Sequence, residues 1–202
     1  MSRQVTAAIL ATLLLGCADS RPDPTAPLTV AIYSQAHASG NANGGNFGTA
    51  ISPGEEVMPA GVVNTSSAVG NAVFQLSEDG ESLSYKLIVA NIENVFQAHI
   101  HNAPAGTNGG IVVWLYPSTA VAPGPLGGGR IQGVIAEGTI TAANLVGSLA
   151  GQPLSALVDL IENGRAYVNA HTNDGVAPTN TGPGDYPGGE LRGQVEVRGN
   201  NK

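Results

Sequence analysis

Cysteine, basic residues and aromatic rings are what this 202-residue chain has least of: one Cys, eight Lys and Arg together, and 4% Phe, Trp and Tyr. A single cysteine, Cys17, permits no disulfide within the chain and no thiolate metal cluster, so stability has to come from packing. Eight basic residues against fifteen acidic ones give a formal charge of -7, and none of the eight are clustered. That excludes nucleic acid as a partner, because phosphate neutralisation needs a Lys/Arg surface, and it excludes polybasic contact with anionic lipid. Chemistry-bearing motifs are also missing. There is no G-x-S-x-G elbow and no Gly-rich phosphate loop opening a helix. No Ser/His/Asp spacing singles out a triad, and no carboxylate pair stands out. These absences favour a non-enzymatic protein.

The longest apolar stretch, AAILATLLLG, sits at the N-terminus behind Arg3 and is too short to span a bilayer. A basic start, a short apolar region and small residues at its end predict a signal peptide over 1–16. The segment Leu14-Leu15-Gly16-Cys17 resembles a lipobox, which implies a bacterial-type lipoprotein with lipid on Cys17 as the new N-terminus. Asp does not directly follow the cysteine, because Ala18 does. The expected location is therefore the outer membrane or cell surface, with the membrane reached through the lipid anchor. Residues 17–27, polar and Pro-punctuated, read as the linker. About 185 residues remain after processing, enough for one core, and a single β domain is expected over 28–199 with its main body at 47–198.

Glycine (28) and proline (13) are abundant and dispersed, as in a turn-rich β protein. Alternation predicts strands at Leu28–Tyr33, 48–52, Val69–Leu76, Ser82–Val89, Val95–His101, Ile111–Tyr116, Val134–Ile140, Arg165–His171 and Glu190–Arg198. Glu78-Asp79-Gly80 makes a hairpin turn. Thr141 caps a short turn. Leu154, Leu157, Val158 and Ile161 form a helical stripe that Gly164 ends. The stretch between His171 and Glu190 is long for a loop and reads as a lid or an insertion. The fold class is all-β: an antiparallel β-sandwich or barrel with one or two short helices.

Side chains alternate across a strand. In VFQAHIH, Phe96, Ala98 and Ile100 take the apolar face, leaving Gln97, His99 and His101 on the other. In RAYVNAHT, Tyr167, Asn169 and His171 lie opposite Ala166, Val168 and Ala170. In GELRGQVEV, Leu191, Val195 and Val197 suit the core, while Glu190, Arg192, Gln194 and Glu196 face away. Antiparallel pairing of the last two strands would bring His171 to Glu190. Two His at i and i+2 share a face at roughly 6.5–7 Å between Cα atoms, a span that imidazoles can close on one ion. His99, His101, His171 and Glu190 are therefore candidate ligands for copper or zinc, beside a polar cluster of Asn169, Arg192 and Gln194. The same side chains can instead be structural hydrogen-bonding groups. A metal site requires ring nitrogens within about 4 Å of one another. Glu55 and Glu56 read as solvated loop carboxylates, and Glu190 with Arg192 as a solvated ion pair. Asp174, Asn180 and Asp185 offer oxygens for Ca²⁺ without EF-hand spacing. Trp114 reads as a core residue. Alternatively Trp114, Tyr116, Tyr167 and Tyr186 form a glycan-stacking surface. His37, in a Gly/Asn-rich stretch, is assigned nothing.

Three motifs occur in order: GTAISPGEEVMP (48–59), AHIHNAPAGTNGGIVVWL (98–115) and AYVNAHT…PGGELRGQV (166–195). Together they resemble the CHRD domain, a module named from chordin and common in secreted bacterial proteins. The resemblance implies an immunoglobulin-like β-sandwich. It places the family's recurring positions on His99, His101, Gly106, Gly109, His171, Gly189, Glu190, Arg192, Gly193 and Gln194. The chain departs from the pattern at Asn102, where glycine is usual, and in the long stretch after His171. Asn102 is expected to keep the turn by taking a left-handed conformation. The leading functional expectation is a lipid-anchored surface module that binds an extracellular protein or supports the envelope. The alternatives are a copper- or zinc-binding surface protein and a glycan-binding module. By analogy, the His-Ile-His strand has a loose likeness to the copper ligands of copper/zinc superoxide dismutase.

Overall fold

The period-two alternation is realised as nine strands in the computed structural model, which describes residues 45–117 and 123–199. They are β1 (Asn46–Ile51), β2 (Val69–Leu76), β3 (Leu83–Glu93), β4 (Val95–Asn102), β5 (Gly110–Tyr116), β6 (Arg130–Ile140), β7 (Ala166–Thr172), β8 (Leu191–Gln194) and β9 (Glu196–Arg198). The expectations for the signal peptide, Cys17, the linker, the Leu28–Tyr33 strand and His37 lie outside the described residues. No helix among the described residues is long and apolar enough to cross a membrane.

The strands form two antiparallel sheets, in the orders β6-β3-β2-β1-β9 and β5-β4-β7-β8. Both are open, so the closed-barrel alternative is not realised. The expected hairpin joins β2 to β3 with Phe74 opposite Tyr85. Inward residues of both sheets make one core: Phe47, Phe74 and Leu87 from the first meet Ile100, Val113, Val168 and Leu191 from the second. The Tyr85 hydroxyl donates across the interior to the Leu115 carbonyl at 2.8 Å.

One helix, α1 (Ser155–Glu162), accounts for the i, i+3, i+4, i+7 stripe: Leu157 and Ile161 are buried, and Gly164 follows with φ 65°. Thr141 opens a single 3-10 turn, bonded reciprocally with Asn144.

The expected continuous strand 190–198 is divided. β8 pairs with β7, whereas β9 pairs with β1 in the other sheet. Val195 is the crossing point, fully buried and bonded through its N–H to Ala166. The switch breaks the alternation, so Val197, expected in the core, is 54% exposed. Where β1 ends, Ser52 bridges to Arg192 and ties the sheets together. Asn102 also differs from expectation. It is an extended β4 residue paired with Gly110 and Ala166 rather than a left-handed turn.

Core position should therefore separate two aliphatic truncations. Leu87→Ala, at a fully buried site, is expected to lower unfolding free energy by roughly 2–5 kcal/mol. Val134→Ala, on the half-exposed edge strand β6, is expected to change it by less than about 0.5 kcal/mol. Urea denaturation of the two variants checks the pair.

Candidate metal centre

β4 and β7 are neighbours in the second sheet, and their register sets the site. His99 lies opposite Asn169, His101 opposite Tyr167, and Gln97 opposite His171. The face bearing these residues is turned away from the shared core, as the alternation requires. It is not solvated, however: His99 is 0% exposed, His171 6% and His101 7%. Three connecting segments supply partners to it, through Glu56, Gly109 and Pro187.

Two backbone carbonyls orient the rings. His101 Nδ1 is 3.0 Å from the Gly109 carbonyl, and His171 Nδ1 is 2.9 Å from that of Pro187. A carbonyl only accepts, so both Nδ1 atoms carry the proton and both Nε2 lone pairs are left for another partner. His99 Nδ1 lies 3.2 Å from His171 Nε2. That separation suits two nitrogens sharing an ion, since tetrahedral ligands at about 2.05 Å stand about 3.3 Å apart. The ligand atoms of His99, His101 and His171 all lie within 4.8 Å of one another. This limit is wider than the expected 4 Å for the whole set. The three residues can coordinate one metal ion, and the carbonyl bonds to the far ring nitrogens are the usual support for metal-bound imidazole.

Burial keeps the rings neutral. It pushes His99 down to about 2, with the charges of His171 and His101 adding to the effect. It also pushes His171 down to about 4, against the favourable bond to Pro187 and together with His101. His101 is lowered by burial too, partly offset by Gly109. Neutral imidazole is the ligating form, so protons do not compete for the site at neutral pH.

Neighbouring residues brace the cluster. The His101 ring stacks on Tyr167 at 4.8 Å between centroids, and the Arg192 guanidinium lies 3.5 Å over the same tyrosine ring. Arg192 is buried and donates to Asn108 Oδ1 and to the carbonyls of Thr107 and Pro104. It is therefore not a solvated partner of Glu190; it anchors the 103–109 loop. Gly109 must be glycine, because a Cβ there would collide with the Asn102 backbone. Its N–H bonds the Tyr167 hydroxyl while its carbonyl holds His101.

Glu190 does not join the histidines. Its carboxylate accepts from Ser66 Oγ, Thr172 Oγ1 and Gly184 N–H. Thr172 follows His171 and so points to the opposite face, which places Glu190 there as well. The expected approach to His171 occurs only in the backbone, where Glu190 N–H donates to Ala170. Gln194 is likewise a brace, its amide donating to Ala103 and Gly164. Asn169 does stand among the histidines, and it holds Glu56 through Nδ2. Glu56, expected to be solvated, is half-buried, and that burial raises its carboxyl above the usual range. Nothing in the local sequence separates it from exposed Glu55; a Pro-Gly turn has no periodicity to read.

Trp114 is not a core residue. It is half-buried, with its ring edge-on to His99 at 4.3 Å between centroids. Tyr167 and Tyr186 are buried, so the alternative, an exposed platform of all four rings, does not form. In the long loop, Asp185 Oδ2 accepts from Thr181 N–H and Oγ, and Asp174 from Val176 N–H, so these carboxylates serve turns.

The CHRD domain model matches residues 47–195. The chain belongs to the CHRD family. The matched span includes all three ligand candidates of this CHRD domain and every strand that positions them. No curated protein and no solved structure matches the chain.

Depressed histidines make this CHRD domain acid-sensitive in a defined window. Unfolded imidazoles titrate near 6.5, above the values of about 4 and about 2 for His171 and His99. As pH falls the unfolded chain takes protons first. The stability these groups contribute is complete above pH 6.5 and declines below it, until the folded values are passed. Urea midpoints of the ion-free protein are expected to be level at neutral pH and to fall from about pH 6.5 to 4. The slope should reach about 1.4 kcal/mol per pH unit for each imidazole. A level profile through that window contradicts the buried neutral assignment.

Proposed function

We propose that this CHRD protein binds one copper or zinc ion through His99, His101 and His171, and that it does so as an exported protein anchored by lipid on Cys17. The observation that carries the metal reading is the convergence of three buried imidazoles, two of them with Nδ1–H committed to carbonyls. Three neutral nitrogens suit copper and zinc alike, and copper is the tighter binder of a given nitrogen set. Glu190 is not a ligand in this reading. A purely adhesive or envelope-structural role leaves the buried, unpartnered Nε2 atom of His101 without a purpose, so the metal reading is preferred. The glycan reading loses two of its four rings to burial. The immunoglobulin-like relationship of the sandwich is part of the same proposal, drawn from the family resemblance.

Metal loading decides the first half. The purified protein, loaded separately with copper and zinc at neutral pH and dialysed, is expected to retain about one ion per chain by elemental analysis. His99→Ala and His101→Ala should each lose it, and His37→Ala should keep it. No retained metal, or retention in the His99/His101 double variant, overturns the site.

The anchor rests on the N-terminal apolar run and the Leu-Leu-Gly-Cys segment. In cells that process lipoproteins, Cys17→Ser is expected to abolish incorporation of labelled fatty acid and to move the protein from the detergent phase to the aqueous phase. Unchanged labelling sinks the assignment of Cys17.

A further inference from the structure

Asn169 is a polar side chain among the histidines that the metal reading leaves unused. It is buried and stands directly across the strand pair from His99, with Tyr167 and His171 on either side along β7. Its amide is held at one end, where Nδ2 donates to the Glu56 carboxylate. Glu56 is itself fixed by the Val57 N–H. Gly189 lies against both groups, at φ 139° and with no room for a Cβ. The other end of the amide, Oδ1, is buried with no partner. An unsatisfied buried acceptor costs about 1–3 kcal/mol, so natural proteins place a donor there. His101 and His171 have already spent their Nδ1 protons on Gly109 and Pro187, and His99 Nε2, itself without a partner, makes no bond to Oδ1.

Coordination gives a second, independent argument. Three imidazoles supply three of the four ligands that a tetrahedral ion takes. Glu190 is turned to the opposite face, and Glu56 is bound to Asn169. The ligand set leaves a fourth tetrahedral position open. Access is narrow, because none of the three rings exposes a tenth of its surface.

From these observations we propose, resting on the metal reading above, that the centre takes a small protic ligand, water or hydroxide, in a fourth position and that Asn169 positions it by accepting its O–H at Oδ1. Glu56 sets the direction of the amide. Asn169 is a positioning residue in this account; it does not bind the metal. The arrangement discriminates by chemistry as well as by size. A carbonyl oxygen welcomes a ligand that brings a proton and repels an anion of similar size that brings none. Azide is such an anion. Its binding is a ligand exchange, in which azide enters as water leaves and no electrons move.

Copper-loaded full-length protein, titrated with azide and followed by the azide-to-copper charge-transfer band, tests this. Wild type is expected to bind azide weakly and saturably. Asn169→Ala should bind it at least about threefold more tightly, and Asn169→Asp more weakly, with about one copper per chain in all three. Bulk-water proton relaxation by the bound copper should report an exchanging water in the wild type and a changed exchange in Asn169→Ala. An absent azide band together with no relaxation enhancement means a closed centre and overturns the proposal. So do azide affinities that agree within about twofold across the three proteins. Failure to take up copper is seen separately by elemental analysis, and it overturns the metal site itself.

Discussion

The carbonyls of Gly109 and Pro187 hold the site together. Each accepts the Nδ1 proton of one histidine, fixing both the tautomer and the ring plane of His101 and His171. Neither carbonyl belongs to a strand that carries a histidine. Both come from loops folded over the outer face of the second sheet. The loops therefore have to be held in place before the imidazoles can converge, and much of the remaining polar structure serves that end. Burying this face would otherwise strand several ring nitrogens without water or partner.

The segment Gly189–Gln194 does most of the holding. Glu190 binds Ser66, Thr172 and Gly184; Arg192 binds the 104–108 turn; Gln194 binds Ala103 and Gly164. Three alternate polar residues thus reach different loops from one short stretch of chain. Arg192 serves the site in two ways, because it clamps the turn that leads to Gly109 and also covers the Tyr167 ring on which His101 stacks. The polar residues of this motif work as structural braces around the histidines.

Much of the fold was legible in the sequence because strand alternation is local. β2 has the predicted limits, Val69–Leu76, and the α1 stripe and its glycine stop are where the periodicity puts them. That His99 and His101 share a face, and that His171 also lies off the core face, followed from the same rule; that β4 and β7 are neighbours did not. What could not be read depends on contacts distant in sequence. The burial of the polar face depends on loops with no periodicity. The departure of Glu190 depends on Gly189 and on Thr172 facing the other way. The recruitment of Glu56 depends on Asn169, more than a hundred residues further along. The division of β8 from β9 at Val195 is a tertiary choice made by β1 and β7, and no pattern within GQVEV announces it.

That division has a mechanical consequence. β1 is an interior strand, laddered to β2 on one side and to β9 on the other, and Ser52 at its end is bonded to Arg192 in the opposite sheet. A pull on the chain ahead of Asn46 would have to break both ladders together, not peel away an edge. Resistance to such a load is set by the unfolding rate rather than by equilibrium stability. The strand that would take the first strain is also the one whose far end fastens Arg192, so a domain stretched from its N-terminal side would hold its histidines in place until β1 itself gave way.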